Sequence, residues 1–331
     1  MPKRISWKKG MRLTDEVLLA ADACTYEHIR HALLLGAGGR FGLLPSSDGF
    51  NLQLSITKGF VDVEAIDCLA ITPDGHIIDV SYDTKFSNTF DGRVQIPDRA
   101  DEREYMLTIN VDDEEWTDVG DGYCEPQYYF SLISPNTALP DNAVPVGRII
   151  DDDGWREDNT RFVPPCIYVS SHPKFNELLV QFISMLRNID ETTSKMLDTG
   201  ARTAIGMYWP TVQQMLITAN TEHELMTPQS LQACVQKVVG TFAMACQYDE
   251  ALSLSDAETF NNYAHVGYSY RNAYLRIKQG LGMCYAINEK VEKFNLLQRE
   301  EPKPEPAPQP EPVRPEPPKP DPRRVWNGRN I

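Results

Sequence analysis

The sequence predicts an α+β multidomain protein: an N-terminal β-sandwich-like domain with one early helix, then a four-helix bundle, then a disordered Pro-rich tail. Three observations carry this reading. Short apolar runs, often alternating and separated by turn signals, fill residues 1–171. Apolar residues then recur at three- and four-residue spacing through 172–299, and proline alternates with charged and small residues over 300–322. With 331 residues, 41% hydrophobic and 24% charged, the chain is long and apolar enough for two ordinary domains and a tail.

In the first region the early helix follows Thr14, an N-cap residue ahead of Asp15 and Glu16. Val17, Leu18, Ala21, Tyr26 and Ile29 come after it at helical spacing. Leu35-Gly36-Ala37-Gly38-Gly39-Arg40-Phe41-Gly42 lacks the Lys-Ser/Thr pair of a phosphate loop and follows a helix instead of a strand, so it reads as a flexible turn. Strands are expected over 51–56, 76–80, 105–111 and 145–150. Ser47-Asp48-Gly49, Pro73-Asp74-Gly75 and Asp91-Gly92 supply turn chemistry between them.

In the second region His172-Pro173 opens a helix with the stripe Phe175, Leu178, Leu179, Phe182, Met185, Leu186 and Ile189. A second helix covers about 204–219, with Pro210 expected to kink or split it. Thr227-Pro228 pairs an N-cap with proline at the first helical position and starts a third helix, carrying Leu231, Val235, Val238, Val239, Phe242 and Ala245. A fourth, interrupted by glycines, spans about 259–297. Four such helices pack as a bundle, and the surplus of apolar positions points to burial between subunits.

Residues 300–322 cannot bury a core and read as an extended polyproline spacer reaching some tens of ångströms at ~3.1 Å per residue. The last nine residues, 323–331, hold Arg323, Arg324, Trp326 and Ile331. A frayed terminus and a tethered docking peptide are both open for them, and the spacer favours docking.

Composition sets the function class. A formal net charge of −15 and a pI near 4.9 repel phosphate backbones, so no nucleic-acid partner is expected. No run of eighteen apolar residues exists and no signal peptide opens the chain, so it is expected to be cytoplasmic and not membrane-inserted. Seven scattered cysteines without a Cys-x-x-Cys read as buried free thiols. His28 and His31 share a helix face without a third ligand nearby. Asp151-Asp152-Asp153-Gly154 lacks the alternating ligands of a calcium loop, and Asp112-Asp113-Glu114-Glu115-Trp116 reads as an exposed acidic loop. No catalytic, cofactor-binding or metal-binding residue is therefore named. A carbohydrate-acting β-sandwich enzyme would need two opposed carboxylates across a cleft.

Several segments resemble the TssK family of type VI secretion baseplate subunits. They are the opening Ile5-Ser6-Trp7-Lys8-Lys9-Gly10-Met11-Arg12-Leu13, then Arg40-Phe41-Gly42-Leu43 ahead of a strand, and the turn Pro73-Asp74-Gly75 before His76-Ile77-Ile78-Asp79. Phe162-Val163-Pro164-Pro165-Cys166-Ile167-Tyr168-Val169 leading to His172-Pro173-Lys174-Phe175 follows, and then the helix entry Met226-Thr227-Pro228-Gln229-Ser230-Leu231. The resemblance implies a non-enzymatic protein without cofactor. Its β domain is a shell like the shoulder of phage receptor-binding proteins and attaches to TssF/TssG-like wedge subunits; its helices form a homotrimer. It implies a site at the inner face of the bacterial inner membrane, with a C-terminal head contacting the membrane complex. Here the proline spacer stands where that head is expected, so the terminal peptide (Arg323, Arg324, Trp326, Ile331) is assigned to the cytosolic part of a membrane partner. Trp7, Met11 and Leu13 are assigned to baseplate or shell contacts, with ordinary core anchoring as the alternative. Phe182, Met185, Ile189, Val235, Val239 and Phe242 are assigned to the trimer interface, some of them serving the protomer's own core. A phage or phage-like tail adaptor is the alternative particle.

Overall fold

The computed structural model describes residues 6–57, 59–83, 92–98, 102–120, 123–197, 203–247 and 257–300. Among them the chain is α+β, and the first element is a long helix, α1 (Asp15–Ala37). It ends where the glycine-rich stretch begins. Gly38 takes the left-handed conformation at φ 61°, and its N–H closes on Leu34 and Leu35, the ordinary glycine helix stop.

The strands that follow are β1 (Gly42–Leu43), β2 (Asn51–Thr57), β3 (Phe60–Ile71), β4 (Ile77–Asp83) and β5 (Arg93–Gln95). Twelve-residue β3 is the spine of this first sheet, with β1 and β2 along one side and β4 and β5 along the other, all antiparallel. Opposite Gln53 and Leu54 the register slips and Glu64 bulges out. Burial accordingly passes from Val61 and Val63 to Ile66, Cys68 and Ala70, so one extra residue keeps both halves of the strand facing the core.

The second sheet has the order β7-β6-β8-β9, from β6 (Glu104–Gly120), β7 (Tyr123–Ile133), β8 (Ala143–Asp151) and β9 (Trp155–Glu157). Residues 112–116, expected as a loop, lie within β6. Their pairing with β7 continues beyond Val111, and the shift between Asp112 and Trp116 takes up Asp113, Glu114 and Glu115. Since β8 pairs with β6 only from Glu104 to Asn110, the distal part of the β6–β7 hairpin has β7 as its partner. Asp151–Gly154 is the β8–β9 hairpin turn, with Asp153 and Gly154 both at positive φ.

The helical part holds α2 (Pro173–Leu197), α3 (Thr203–Thr221), α4 (Pro228–Cys246), α5 (Ala257–Ala264) and α6 (Ala273–Glu300). Helices α2, α3, α4 and α6 form a four-membered ring of neighbours, with α5 against α4. Pro210 does not split α3, which is continuous through it. The helix expected over 259–297 is instead two. Gln236 donates to the carbonyls of Tyr263 and Val266 at 3.0 and 2.7 Å, which ends α5, and a 3-10 turn at Tyr270–Asn272 leads into α6. Tyr263 sits where α6 has Gly280: a Cβ there would fall 2.1 Å from the Tyr263 hydroxyl oxygen.

One apolar core runs from the sheets into the bundle. The joint is made by backbone as well as side chains. Leu43 N–H donates to Pro165 O at 2.7 Å, Ile167 N–H donates to Leu43 O at 2.9 Å, and Val169 N–H donates to Met226 O at 2.7 Å. Gly42, at φ 118°, lies so close to Pro165 that a Cβ would meet its carbonyl at 2.1 Å, so this parallel contact requires glycine. Phe41 against Tyr270 completes the seam as an edge-on pair, and Phe175 against Tyr274 repeats that geometry between α2 and α6.

Candidate functional site

Nothing in the described residues groups three or more His, Cys, Asp or Glu side chains as a metal site. His28 and His31 each turn Nδ1 to a carbonyl of their own helix, at Cys24 O (2.6 Å) and Glu27 O (2.8 Å). A cleft of about 250 Å³ lies between β2, the β8–β9 hairpin and the start of α2. Its walls carry Arg148, Glu157, Asp158, His172 and Lys174. Asp158 is buried and committed to structure: Oδ1 accepts from Thr160 (3.0 Å) and the Arg161 N–H (3.3 Å), and Oδ2 pairs with Arg148 at 3.5 Å. Burial raises the Glu157 carboxyl, and the Lys174 charge offsets part of that. His172 accepts the Lys174 backbone N–H on Nδ1 at 3.1 Å, which places the proton of the neutral ring on Nε2. Burial, reinforced by the Lys174 charge, pushes its pKa down to about 4, so the ring is neutral near pH 7. The groups of this cleft hold the joint between sheets and bundle.

What the molecule offers outward is apolar surface. Trp7, Met11 and Leu13 are 58%, 38% and 67% exposed, so none is anchored in the protomer core. They lead into α1, where Leu18, Leu19, Ile29 and Leu35 are exposed and Ala37 is the one buried residue. Helix α1 is clamped at the Thr72–His76 turn. His76 is 2% exposed there, with the Tyr26 hydroxyl 2.9 Å from Nδ1 and both Arg30 Nη1 and Asp74 Oδ2 3.2 Å from Nε2. Burial raises the Asp74 carboxyl, but hydrogen bonds with His76 and Thr72 outweigh it and hold the group below its ordinary value. Gly75, at φ 93°, lets α1 come within reach: a Cβ would lie 2.7 Å from Leu34 Cγ and 2.9 Å from Arg30 O.

The six bundle residues expected between subunits are not on the surface. Phe182, Met185, Ile189, Val235, Val239 and Phe242 are each at most 2% exposed in the single chain. They fill the ring made by α2, α3, α4 and α6 and have no area left for a neighbour, so their assignment to an interface is corrected. A stripe at three- and four-residue spacing finds the face a helix turns to its partners, and in a four-helix bundle those partners belong to the same chain. Missed in the sequence was the outward face of α3, where Met207 and Ile217 are exposed; the signal was a run of residues without charge. Arg323, Arg324, Trp326 and Ile331, with the spacer before them, lie outside the described residues. No described helix is long and apolar enough to cross a membrane.

No protein-family model and no curated protein matches the sequence. Solved structures do. A crystal structure of TssK superposes with a TM-score of 0.56 at 14% identity, covering 87% of this chain and 69% of that one. A chain of the cryo-electron microscopy structure of the type VI secretion system TssK–TssF–TssG baseplate subcomplex gives 0.55 at 14% identity, covering 87% of this chain and 100% of that one. A chain of the baseplate complex from the type VI secretion system gives 0.53 at 12% identity, covering 88% and 100%. This chain has a TssK-like fold.

Proposed function

We propose that this chain is a structural, non-catalytic adaptor of a type VI secretion-like baseplate. It acts as a homotrimer in the cytoplasm, at the inner face of the inner membrane, and joins TssF/TssG-like wedge subunits to the cytosolic part of a membrane complex. The observation that carries this reading is the extent of the likeness: 87% of this chain follows the TssK crystal structure, and a chain of the TssK–TssF–TssG subcomplex is covered throughout. An adaptor works through faces, and the exposed features fit that use. The segment with Trp7, Met11 and Leu13 adds Lys8, Lys9 and Arg12, an apolar and basic contact for the wedge. The terminal peptide with Arg323, Arg324, Trp326 and Ile331 docks to the membrane-side partner, and three copies of it raise a weak single contact by avidity.

Light scattering after size exclusion tests the assembly. Three times 37.5 kDa is about 112 kDa, and that mass is expected at micromolar concentration; a clean monomer would remove the adaptor reading. Co-purification with TssF/TssG-like subunits then tests the wedge contact. A chain ending at Glu300 is expected to lose the membrane-side partner, and undiminished binding would defeat the assignment to the tail.

A further inference from the structure

The four bundle helices divide sharply by charge. Helix α2 carries Lys174, Glu177, Arg187, Asp190, Glu191 and Lys195, and α6 carries eight charged residues from Arg276 to Glu300. Helix α4 carries only Lys237, and α3 carries none over its 19 residues. In a chain that is 24% charged, α3 is nevertheless open to solvent on one side. Gly206, Met207, Pro210, Gln214, Ile217 and Thr221 are all exposed. Their spacing of three and four residues puts them on one face roughly 100° wide. Met207 is 47% exposed and Ile217 58%. On the inward side Tyr208 and Val212 are buried, and the Trp209 indole donates to Asp190 at 2.8 Å, so α3 is fixed in the bundle with this face outward.

We propose that the outward face of α3 is the surface through which copies of this chain meet around their symmetry axis. The inference rests on the trimer reading above and names the face that reading requires. Charge selects the occupant. Every copy carries −15, so copies that approach each other repel wherever like charges come within the screening distance of about 8–10 Å. A different protein can answer an acidic or basic surface with the opposite sign, and its docking face has no reason to be neutral. A copy of the same chain brings the same charge, and a symmetric contact between acidic copies therefore favours a face without charge.

A second feature points the same way. Gly206, in the first turn of α3, and Pro210, in its interior, are both poor helix formers that cost stability relative to alanine. Among the described residues nothing explains the glycine, since a Cβ at Gly206 would meet none of their atoms within 4 Å. A neighbouring helix that comes close to the backbone accounts for the missing side chain. Proline at 210 also leaves the Gly206 carbonyl without its helical donor, an acceptor on the same face.

The test is the mass of the full chain by light scattering at micromolar concentration, for three variants beside the wild type. Met207→Glu/Ile217→Glu is expected to fall from about 112 kDa to the 37.5 kDa protomer while keeping its far-ultraviolet helical signal. Gln214→Glu adds one charge at unchanged shape and is expected to raise the concentration of half-dissociation about tenfold or more. Val180→Glu, on the exposed and already charged side of α2, is expected to keep the wild-type mass. If the wild type is trimeric and the α3 variants stay trimeric, the face is wrong while the adaptor reading stands. A monomeric wild type overturns both.

Discussion

Helices α1 and α2 are nearly equal in length, 23 and 25 residues, and both are rich in apolar side chains, yet they stand in opposite relation to the core. In α2 the apolar residues keep to one stripe, and Phe175, Leu178, Leu179, Phe182, Met185, Leu186 and Ile189 are all buried. In α1 they lie all around the helix, and Leu18, Leu19, Ile29 and Leu35 remain exposed. Content alone does not bury a helix; an apolar stripe facing a partner does. Helix α2 is thus stabilised by packing. Helix α1 relies on its Ala- and Leu-rich propensity and on its clamp at the Thr72–His76 turn.

The comparison is broken most directly at Phe182, fully buried in α2. Phe182→Ala is expected to cost about 3–5 kcal/mol in chemical denaturation, since it removes a large side chain from a closed bundle and leaves a cavity. A loss under about 1 kcal/mol would mean that the bundle core is not packed as described.

A smaller effect separates the starts of the two helices. His172 caps α2: its carbonyl accepts from Phe175 and Asn176, and its ring accepts from Lys174. Thr14 before α1 makes no side-chain cap bond. The folded His172 pKa is depressed to about 4 from 6.5, so the unfolded chain binds the proton first as pH falls. Stability from this group is complete above about pH 6.5, declines between 6.5 and 4, and changes no further below that. The loss is on the order of 3 kcal/mol. His172→Gln is expected to flatten that interval when its denaturation curves are subtracted from those of the wild type. Parallel curves would remove the neutral-cap argument.

Much of this is legible in the sequence. Pro73-Asp74-Gly75 announced the turn on which α1 rests, Thr227-Pro228 announced the start of α4, and the capping pair was found there: Ser230 N–H donates to Thr227 Oγ1 at 3.0 Å and Thr227 N–H to Ser230 Oγ at 2.8 Å. The failures have specific causes. Residues 112–116 read as a loop because a polar stretch has no apolar alternation to betray a strand; the pairing of Asp112 and Trp116 with β7 on either side of the shift is what keeps it in β6. The break after α5 is imposed by Gln236, 27 and 30 residues distant from the carbonyls it binds, beyond any local pattern. The apolar stripes of the bundle were found correctly but assigned to the wrong neighbour, because periodicity gives a buried face and not the chain that buries it. The uncharged run of α3 was in plain view, and its meaning depended on knowing which of its sides points outward.

The smallest expected effects lie on α1, and they test whether the clamp at the Thr72–His76 turn is what holds it. Leu19 is 69% exposed, so Leu19→Ser in the isolated protein is expected to shift global stability by no more than about 0.5 kcal/mol. Gly75→Ala acts at the clamp itself. Its Cβ would press on Leu34 and the Arg30 backbone, and the turn needs φ 93°. Helix α1 is therefore expected to loosen while the bundle keeps its unfolding midpoint. Hydrogen exchange separates these outcomes: Gly75→Ala should speed exchange across 15–37 and leave 173–197 protected as in the wild type. Equal protection of α1 in both proteins would show that contacts other than the Thr72–His76 turn hold it. A loss of protection in α2 as well would show that the two helices unfold as one unit and that the contrast between them is one of exposure alone.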